Sequence, residues 1–391
     1  MITAETNQTE TLTSCPGCGS AALGERYFLA RQPVISNYRF ASSAEARAVT
    51  RRDMDLCECT ACGLIFNAVF DAGAIPYDER YENCQHFSTG FRSLLEELSQ
   101  TLTERYLKPG GTVLEVGCGR GDFLKQICEH AGATGTGYDT ACDVSDSDER
   151  VTLFRRYVTA ADVKGHVDLV VCRHVVEHVS EIGDFFRSLH AMAVAGGGTA
   201  VYIETPALEW IVEKRAFYDV FYEHCNYFKT DTLCQLAEQA GFGVIDQRLV
   251  FSGQYQALEL KPVPPKNPFT PVLKPAGLVL RNFAEDIERS RQAVAANLEK
   301  AGAAGGWAIW GAGAKGVSLA SVLSTPHPLF IIDSNPSKQG KFIPGSGIPV
   351  IAPHDPRIAD IPVILVANPN YLSEIHATLG QHGFTPCLVP L

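Results

Sequence analysis

Three groups of residues have the types and spacing that chemistry requires. The first is Glu115-Val-Gly117-Cys118-Gly119-Arg-Gly121, which ends an apolar run and precedes Phe123, Leu124 and Ile127 at helical spacing. Glycine is needed where the backbone turns tightly and where a ligand must touch main chain with no Cβ in the way. A helix starting there offers amides and a partial positive charge to an anionic group. Gly135-Thr-Gly-Tyr-Asp139 then puts a carboxylate at a strand end, where it can accept hydrogen bonds from ribose hydroxyls. The pattern points to a nucleotide-type cofactor. The alternative is a tight strand-to-helix turn in some other α/β domain.

The second group is Cys15-Pro-Gly-Cys18-Gly and Cys59-Thr-Ala-Cys62-Gly, two knuckles about forty residues apart. Four thiolates at this spacing can close a tetrahedral zinc site, and four protein ligands leave no open position, so the metal is expected to be structural. Cys57 is an alternative ligand or a bystander. The third group is Arg173-His174-Val-Val-Glu177-His178 with Phe221-Tyr222-Glu223-His224-Cys225-Asn226-Tyr227-Phe228. Histidine titrates near neutral pH and can move a proton. A glutamate beside it can orient the ring and raise its basicity. His224 with Glu223 is the expected base, and His178 a second proton carrier. The plain alternatives are a helix cap at Glu177 and a polar helix start packed by Phe221, Tyr227 and Phe228.

These residues need elements to hold them. Short apolar runs at Thr112–Val116, 135–138, 168–172 and Ala200–204 alternate with helix-like segments, which predicts a parallel sheet covered on both faces. Ligands of such sheets bind beyond the carboxyl ends of the strands. Prolines 262, 264, 265, 268, 271 and 275 read as a linker, and a helix-like stretch from Leu278 to Leu298 follows. A second strand–turn–helix–strand–acid arrangement runs through Trp307–Trp310, Gly311-Ala-Gly313-Ala-Lys315-Gly316 and Asp333. By pattern this loop fits a dinucleotide fingerprint, which makes NAD an alternative. Lys315 inside it suggests instead an anion site for an acceptor's phosphate. In Phe251-Ser-Gly253-Gln254-Tyr255, Gly253 permits close approach of substrate, and Gln254 can donate hydrogen bonds to it.

Length and composition bound the rest. At 391 residues the chain is expected to hold two or three domains. A net charge of −11 argues against nucleic acid or an anionic membrane as partner, because both need a basic face. Thirteen cysteines with no visible export signal point to reduced thiols or metal ligands, hence to a cytoplasmic protein.

In order and in motif the chain resembles the nucleotide-sugar C-methyltransferase superfamily. The likeness is carried by the two cysteine knuckles, by Glu115–Gly121, by Glu223-His224 with Tyr227-Phe228, by Gly311–Gly316 and by the long run from Asp333 to Pro349. It implies a zinc-binding unit (1–75), a class I S-adenosylmethionine-dependent methyltransferase unit with a doubly wound α/β sheet (76–262), and a linker helix with a C-terminal Rossmann-like α/β unit (263–391). It implies cofactor contacts at Glu115, Gly117, Cys118, Gly119, Gly121, Asp139 and His174, and structural zinc on Cys15, Cys18, Cys59 and Cys62. A small acceptor, most readily a nucleotide-linked keto-sugar, would meet Gln254, Gly313 and Lys315. C-methylation would use His224 and Glu223, with Tyr222 or Tyr81 at the enolate oxygen and His178 nearby. O- or N-methylation of another small metabolite is the runner-up, and a non-catalytic cofactor-binding protein the third reading. Two departures stand out. The family's Tyr-His-Glu-His is Phe221-Tyr222-Glu223-His224 here, and its Gly-Gly-Ser is Ser252-Gly253-Gln254. The segment Tyr81-Glu-Asn-Cys-Gln-His-Phe-Ser88 also resembles a sister group of methyltransferases.

Overall fold

The computed structural model describes residues 11–78, 80–82, 86–263, 279–323 and 327–391. Asn83, Cys84 and Gln85 of the segment after Tyr81, and the linker prolines from Pro264 to Pro275, lie outside the described residues.

Three sheets follow one another. β1 (Leu23–Pro33), β2 (Arg51–Cys59) and β3 (Ile65–Asn67) pair antiparallel in the first. The second begins with β4 (Thr112–Val116), β5 (Thr134–Tyr138), β6 (Val151–Phe154), β7 (Leu169–Arg173) and β8 (Ala200–Pro206), all parallel. The two-residue β9 (Asn226–Tyr227) leaves this sheet and extends the first one beside β3. β10 (Phe242–Val250) and β11 (Tyr255–Pro262) then return as a hairpin, with β11 antiparallel to β8. The central order is β10-β11-β8-β7-β4-β5-β6. The sheet is therefore mixed, whereas the sequence alternation predicts a parallel one. Strands joined by a short turn can only pair antiparallel.

The third sheet comprises β12 (Trp307–Trp310), β13 (Ile331–Ile332), β14 (Val350–Ile351), β15 (Val363–Val366) and β16 (Cys387–Pro390). Its order is β14-β13-β12-β15-β16, all parallel, the doubly wound pattern. No helix among the described residues is long and apolar enough to cross a membrane.

Local chemistry accounts for the elements nearest the site. Buried runs in β4, β7 and β8 suit strands covered on both faces. The helix Asp122–Ala131 buries Phe123, Leu124, Ile127, Cys128 and Ala131, one apolar stripe, and ends at Gly132 in the left-handed region.

The long motif from Asp333 to Pro349 has a docking role. Ser43 Oγ donates to Gly347 O at 2.8 Å, Arg47 Nε to Ser346 O at 3.1 Å and Arg51 Nη2 to Gly345 O at 2.9 Å. The Gly345 amide donates back to Ala46 O at 2.8 Å. The N-terminal unit thus grips the C-terminal one by its Pro-Gly-Ser-Gly loop. Gly347 has φ +68°, and a Cβ there would lie 2.8 Å from the Ser43 carbonyl oxygen. Gly347→Ala is expected to cost about 1–3 kcal/mol of stability, read as a lowered unfolding temperature. Gly340→Ala is the control, because Gly340 also has positive φ (+72°) but open space at its Cβ. Equal losses in the two variants would remove the docking argument.

Candidate active site

One cavity touches the carboxyl ends of the parallel strands in the second and third sheets. His174, Glu177 and His178 reach it from the segment after β7, and Gly311, Gly313 and Lys315 from the loop after β12. Asp333 enters after β13 and Asn368 after β15. Both groups sit where the strand order of their sheet reverses, at β4/β7 and at β12. The N-terminal unit adds Asn37, whose Nδ2 donates to Tyr81 OH at 3.3 Å.

At one end of the cavity two imidazoles meet. His178 and His224 have ring centroids 4.9 Å apart, and Phe221 packs on His224 at 4.0 Å. His178 Nδ1 donates to the Glu223 carbonyl oxygen at 2.8 Å. His224 is buried, and its Nδ1 has no hydrogen-bond partner. Burial, then the charges of His178, Lys315 and His174, push its pKa well below the usual 6.5, so the ring is neutral at pH 7. Burial likewise holds the Tyr81 phenol well above 10, with Glu223 adding to the effect. Tyr81 therefore remains a hydrogen-bond donor across the working range.

Several expected residues sit differently. Glu223 does not orient His224: its Oε1 accepts the Ser36 amide at 2.5 Å. Tyr222 is fully buried, accepts the Asp71 amide at 2.9 Å, stacks on Phe70 and is not among the cavity residues. The turn closed by His224 N–H to Phe221 O at 3.1 Å sends successive side chains different ways. Lys315 is half-buried in an ion pair with Asp219, its ammonium 5.2 Å from the Trp210 ring centroid. Its charge is already matched, which removes the free cation expected for a phosphate. Gln254 lines the cavity and accepts from Asn368 Nδ2 at 3.0 Å. Asn37 and Asp219 had no signal in the sequence, because each becomes relevant only across a junction between units.

On the cofactor side, Gly117, Gly119 and Gly121 all have positive φ. A Cβ on Gly117 would overlap Val175 Cγ2 at 2.2 Å, whereas Gly119 faces open space. Asp139 directly follows β5, and its carboxylate accepts Gly119 N at 3.0 Å and Ala141 N at 2.7 Å. Glu115 is buried with Oε2 unpartnered, and burial pushes its pKa up to about 8, against the pull of Arg173. The unpartnered Glu115 oxygen and the open space at Gly119 fit a ligand with an amino group and hydroxyls. Cys118 packs inward, its Sγ 2.7 Å from where a Gly137 Cβ would be. His174 sits at φ +53° with Nε2 3.1 Å from Glu204 and Nδ1 3.4 Å from Glu177. Burial lowers its pKa, but the two carboxylates outweigh that and hold it near 9. A non-glycine residue in this region is strained and is kept there by its partners.

The cysteines converge as well. Cys15 and Cys62 sulfurs lie 3.6 Å apart, and those of Cys18 and Cys59 3.7 Å. A tetrahedral ion with metal–sulfur bonds of about 2.3 Å needs sulfur–sulfur spacings of about 3.8 Å. The four residues fit such an ion, and Cys57 is not in the group.

Comparison with known proteins agrees with this geometry. Residues 85–247 match the family model described as a methyltransferase domain, and residues 277–383 the model described as a C-methyltransferase C-terminal domain. The chain is 27% identical over 295 residues to C-methyltransferase NovU of Streptomyces niveus, covering 69% of each. It is 30% identical over 106 residues to the ubiquinone biosynthesis O-methyltransferase of Pseudomonas paraeruginosa, covering 25% of this chain and 45% of that relative. A solved S-adenosylmethionine-dependent methyltransferase from Aquifex aeolicus superposes with a TM-score of 0.37 and 19% identity, over 50% of this chain and 100% of that one. By these matches the chain is an S-adenosylmethionine-dependent methyltransferase that carries a C-methyltransferase C-terminal domain.

Proposed function

We propose that this enzyme C-methylates a nucleotide-linked keto-sugar at a carbon beside its carbonyl, with His224 as general base. The observation that carries the reading is the single cavity joining the His178–His224 pair to the Gly311–Gly316 loop. A ligand with a sugar at one end and a nucleotide at the other spans it. The neutral His224 ring takes the proton from the carbon beside the carbonyl. The electron pair moves to the carbonyl oxygen, where the Tyr81 phenol donates to the enolate. His178, whose ring lies against that of His224, relays the proton onward. S-adenosylmethionine, when bound, would supply an electrophilic methyl group for the enolate carbon and would leave as S-adenosylhomocysteine. Glu115, Gly117, Gly119, Gly121, Asp139 and His174 would hold that cofactor, and Cys15, Cys18, Cys59 and Cys62 a structural zinc ion. Gly313 and Gln254 are assigned to the acceptor, whereas Lys315 with Asp219 holds the loop in place.

One observation favours the second reading, O- or N-methylation of an acceptor without a diphosphate. The cavity carries Asp219, Asp333, Glu177 and Glu374 against Lys315, Lys338 and the cationic His174, and both Lys315 and His174 are already paired with carboxylates. A panel of nucleotide-sugars titrated into the protein with S-adenosylhomocysteine decides between them. Saturable binding, followed by a product with a new carbon-bound methyl group in its NMR spectrum, is the expected outcome. Binding of S-adenosylhomocysteine with no response to any nucleotide-sugar would favour the second reading.

A further inference from the structure

Residues 86–91 form a strap between the cofactor loop and the C-terminal unit. At one end His86 Nδ1 lies 3.4 Å from Asp122 Oδ2, and Asp122 opens the helix that follows Gly121. At the other end stands a carboxylate from the C-terminal unit, nearly three hundred positions away in sequence. Glu374 Oε2 accepts from Ser88 Oγ at 2.9 Å, from Thr89 Oγ1 at 3.0 Å, and from the amides of Thr89 at 3.1 Å and Gly90 at 3.4 Å. Those donors begin the eighteen-residue helix Thr89–Tyr106, whose N-cap is Ser88.

Three features make this more than a surface cap. The carboxylate and the strap belong to different units, so the bonds exist only while the units are docked. Phe87, Ser88 and Glu374 all line the cavity, so the fastening point lies beside the acceptor. Phe91 packs edge-on against Phe251, which in turn packs on Tyr371. Phe251, Ser252 and Gly253 are three successive residues with positive φ, and a turn holding two non-glycine residues there is strained. A helix N-terminus favours an anion, and hydrogen bonds to an ionised acceptor are the stronger kind. Losing Glu374 leaves those donors to water and frees the strap at its C-terminal side.

We infer that Glu374 is a positioning residue for the cofactor: it fastens the strap across the Gly117–Gly121 side only while the C-terminal unit is docked. Docking of the acceptor-binding unit then governs how long the cofactor is held. The inference rests on the cofactor loop lying at Gly117–Gly121 and is independent of which acceptor is methylated.

The test is S-adenosylhomocysteine affinity and release rate for wild type, Glu374→Ala, Ser88→Ala and the double variant of the full chain. Glu374→Ala is expected to weaken binding about tenfold, chiefly through faster release. KM for S-adenosylmethionine should rise more than kcat falls. Glu374→Gln keeps an acceptor oxygen without the charge and should recover part of the loss. The double variant should lose less than the sum of the two single losses, because the substitutions share the Ser88–Glu374 bond. Wild-type release in Glu374→Ala, or losses that add in the double variant, would overturn the inference. If Glu374→Ala does not fold, Ser88→Ala carries the test from the other side of the contact. Wild-type protein that fails to bind S-adenosylhomocysteine would overturn the cofactor-loop assignment itself, a separate and recognisable result.

Discussion

His224→Ala is expected to lower turnover by about 10²–10⁴-fold, the usual contribution of a positioned general base, while S-adenosylhomocysteine affinity stays close to wild type. The argument is geometric first. His224 is buried at the cavity with an unpartnered nitrogen, and among the described residues the imidazole within ring contact is His178. The pH dependence adds a sign. Burial and neighbouring positive charge lower the pKa of His224 below 6.5, so the neutral, competent form dominates at pH 7 and above. The acid limb of kcat/KM should therefore lie below the ordinary histidine range, falling about tenfold per pH unit beneath it. The Tyr81 phenol, held well above 10, adds no basic limb at neutral pH. Wild-type-like turnover in His224→Ala would remove the residue as base. An acid limb centred above 6.5 would assign the titration to another group.

Replacing Cys59 and Cys62 together by serine should remove one equivalent of metal and undo more than the knuckle. In small zinc modules the metal supplies about 10–16 kcal/mol. Here the N-terminal unit also has an apolar core, so a partial opening is expected. Its reach follows from the neighbours of the cysteines. Glu58, beside Cys59, is buried and accepts the amides of Val279 and Leu280, capping the helix Leu280–Lys300 that leads into the C-terminal unit. Thr232 Oγ donates to Cys62 O at 2.8 Å, and Gly183 N to Pro16 O at 3.1 Å, which fastens the knuckles to two helices beside the central sheet. Ser36 and Asn37 of the same unit stand against Glu223 and Tyr81. The double variant should thus lose acceptor binding while the cofactor loop, on β4, still binds S-adenosylhomocysteine. Metal content by mass spectrometry and limited proteolysis measure both effects. Full metal content in the variant would end the four-cysteine assignment.

The parts of this protein legible in its sequence are those governed by local rules. Glycines 117, 119 and 121 declare a turn because only that residue tolerates its dihedral angles. The buried runs of β4 and β12 declare strands through their apolar residues, and two Cys-x-x-Cys knuckles declare a cluster through their spacing. His178 and His224 stand out in the sequence because few other side chains carry protons near pH 7, and the structure brings their rings together. What a side chain faces was not legible when its partner lies far along the chain. Glu223 is adjacent to His224 in sequence yet bonds to Ser36, and Tyr222 bonds to Asp71. Lys315 looked like a phosphate ligand and is matched by Asp219, and Glu374 carried no motif at all. Sequence patterns encode dihedral preference, apolar period and residue chemistry, all of them short-range. Ion pairs, caps and cavity walls are settled when three units dock, and only the tertiary structure decides which charges meet.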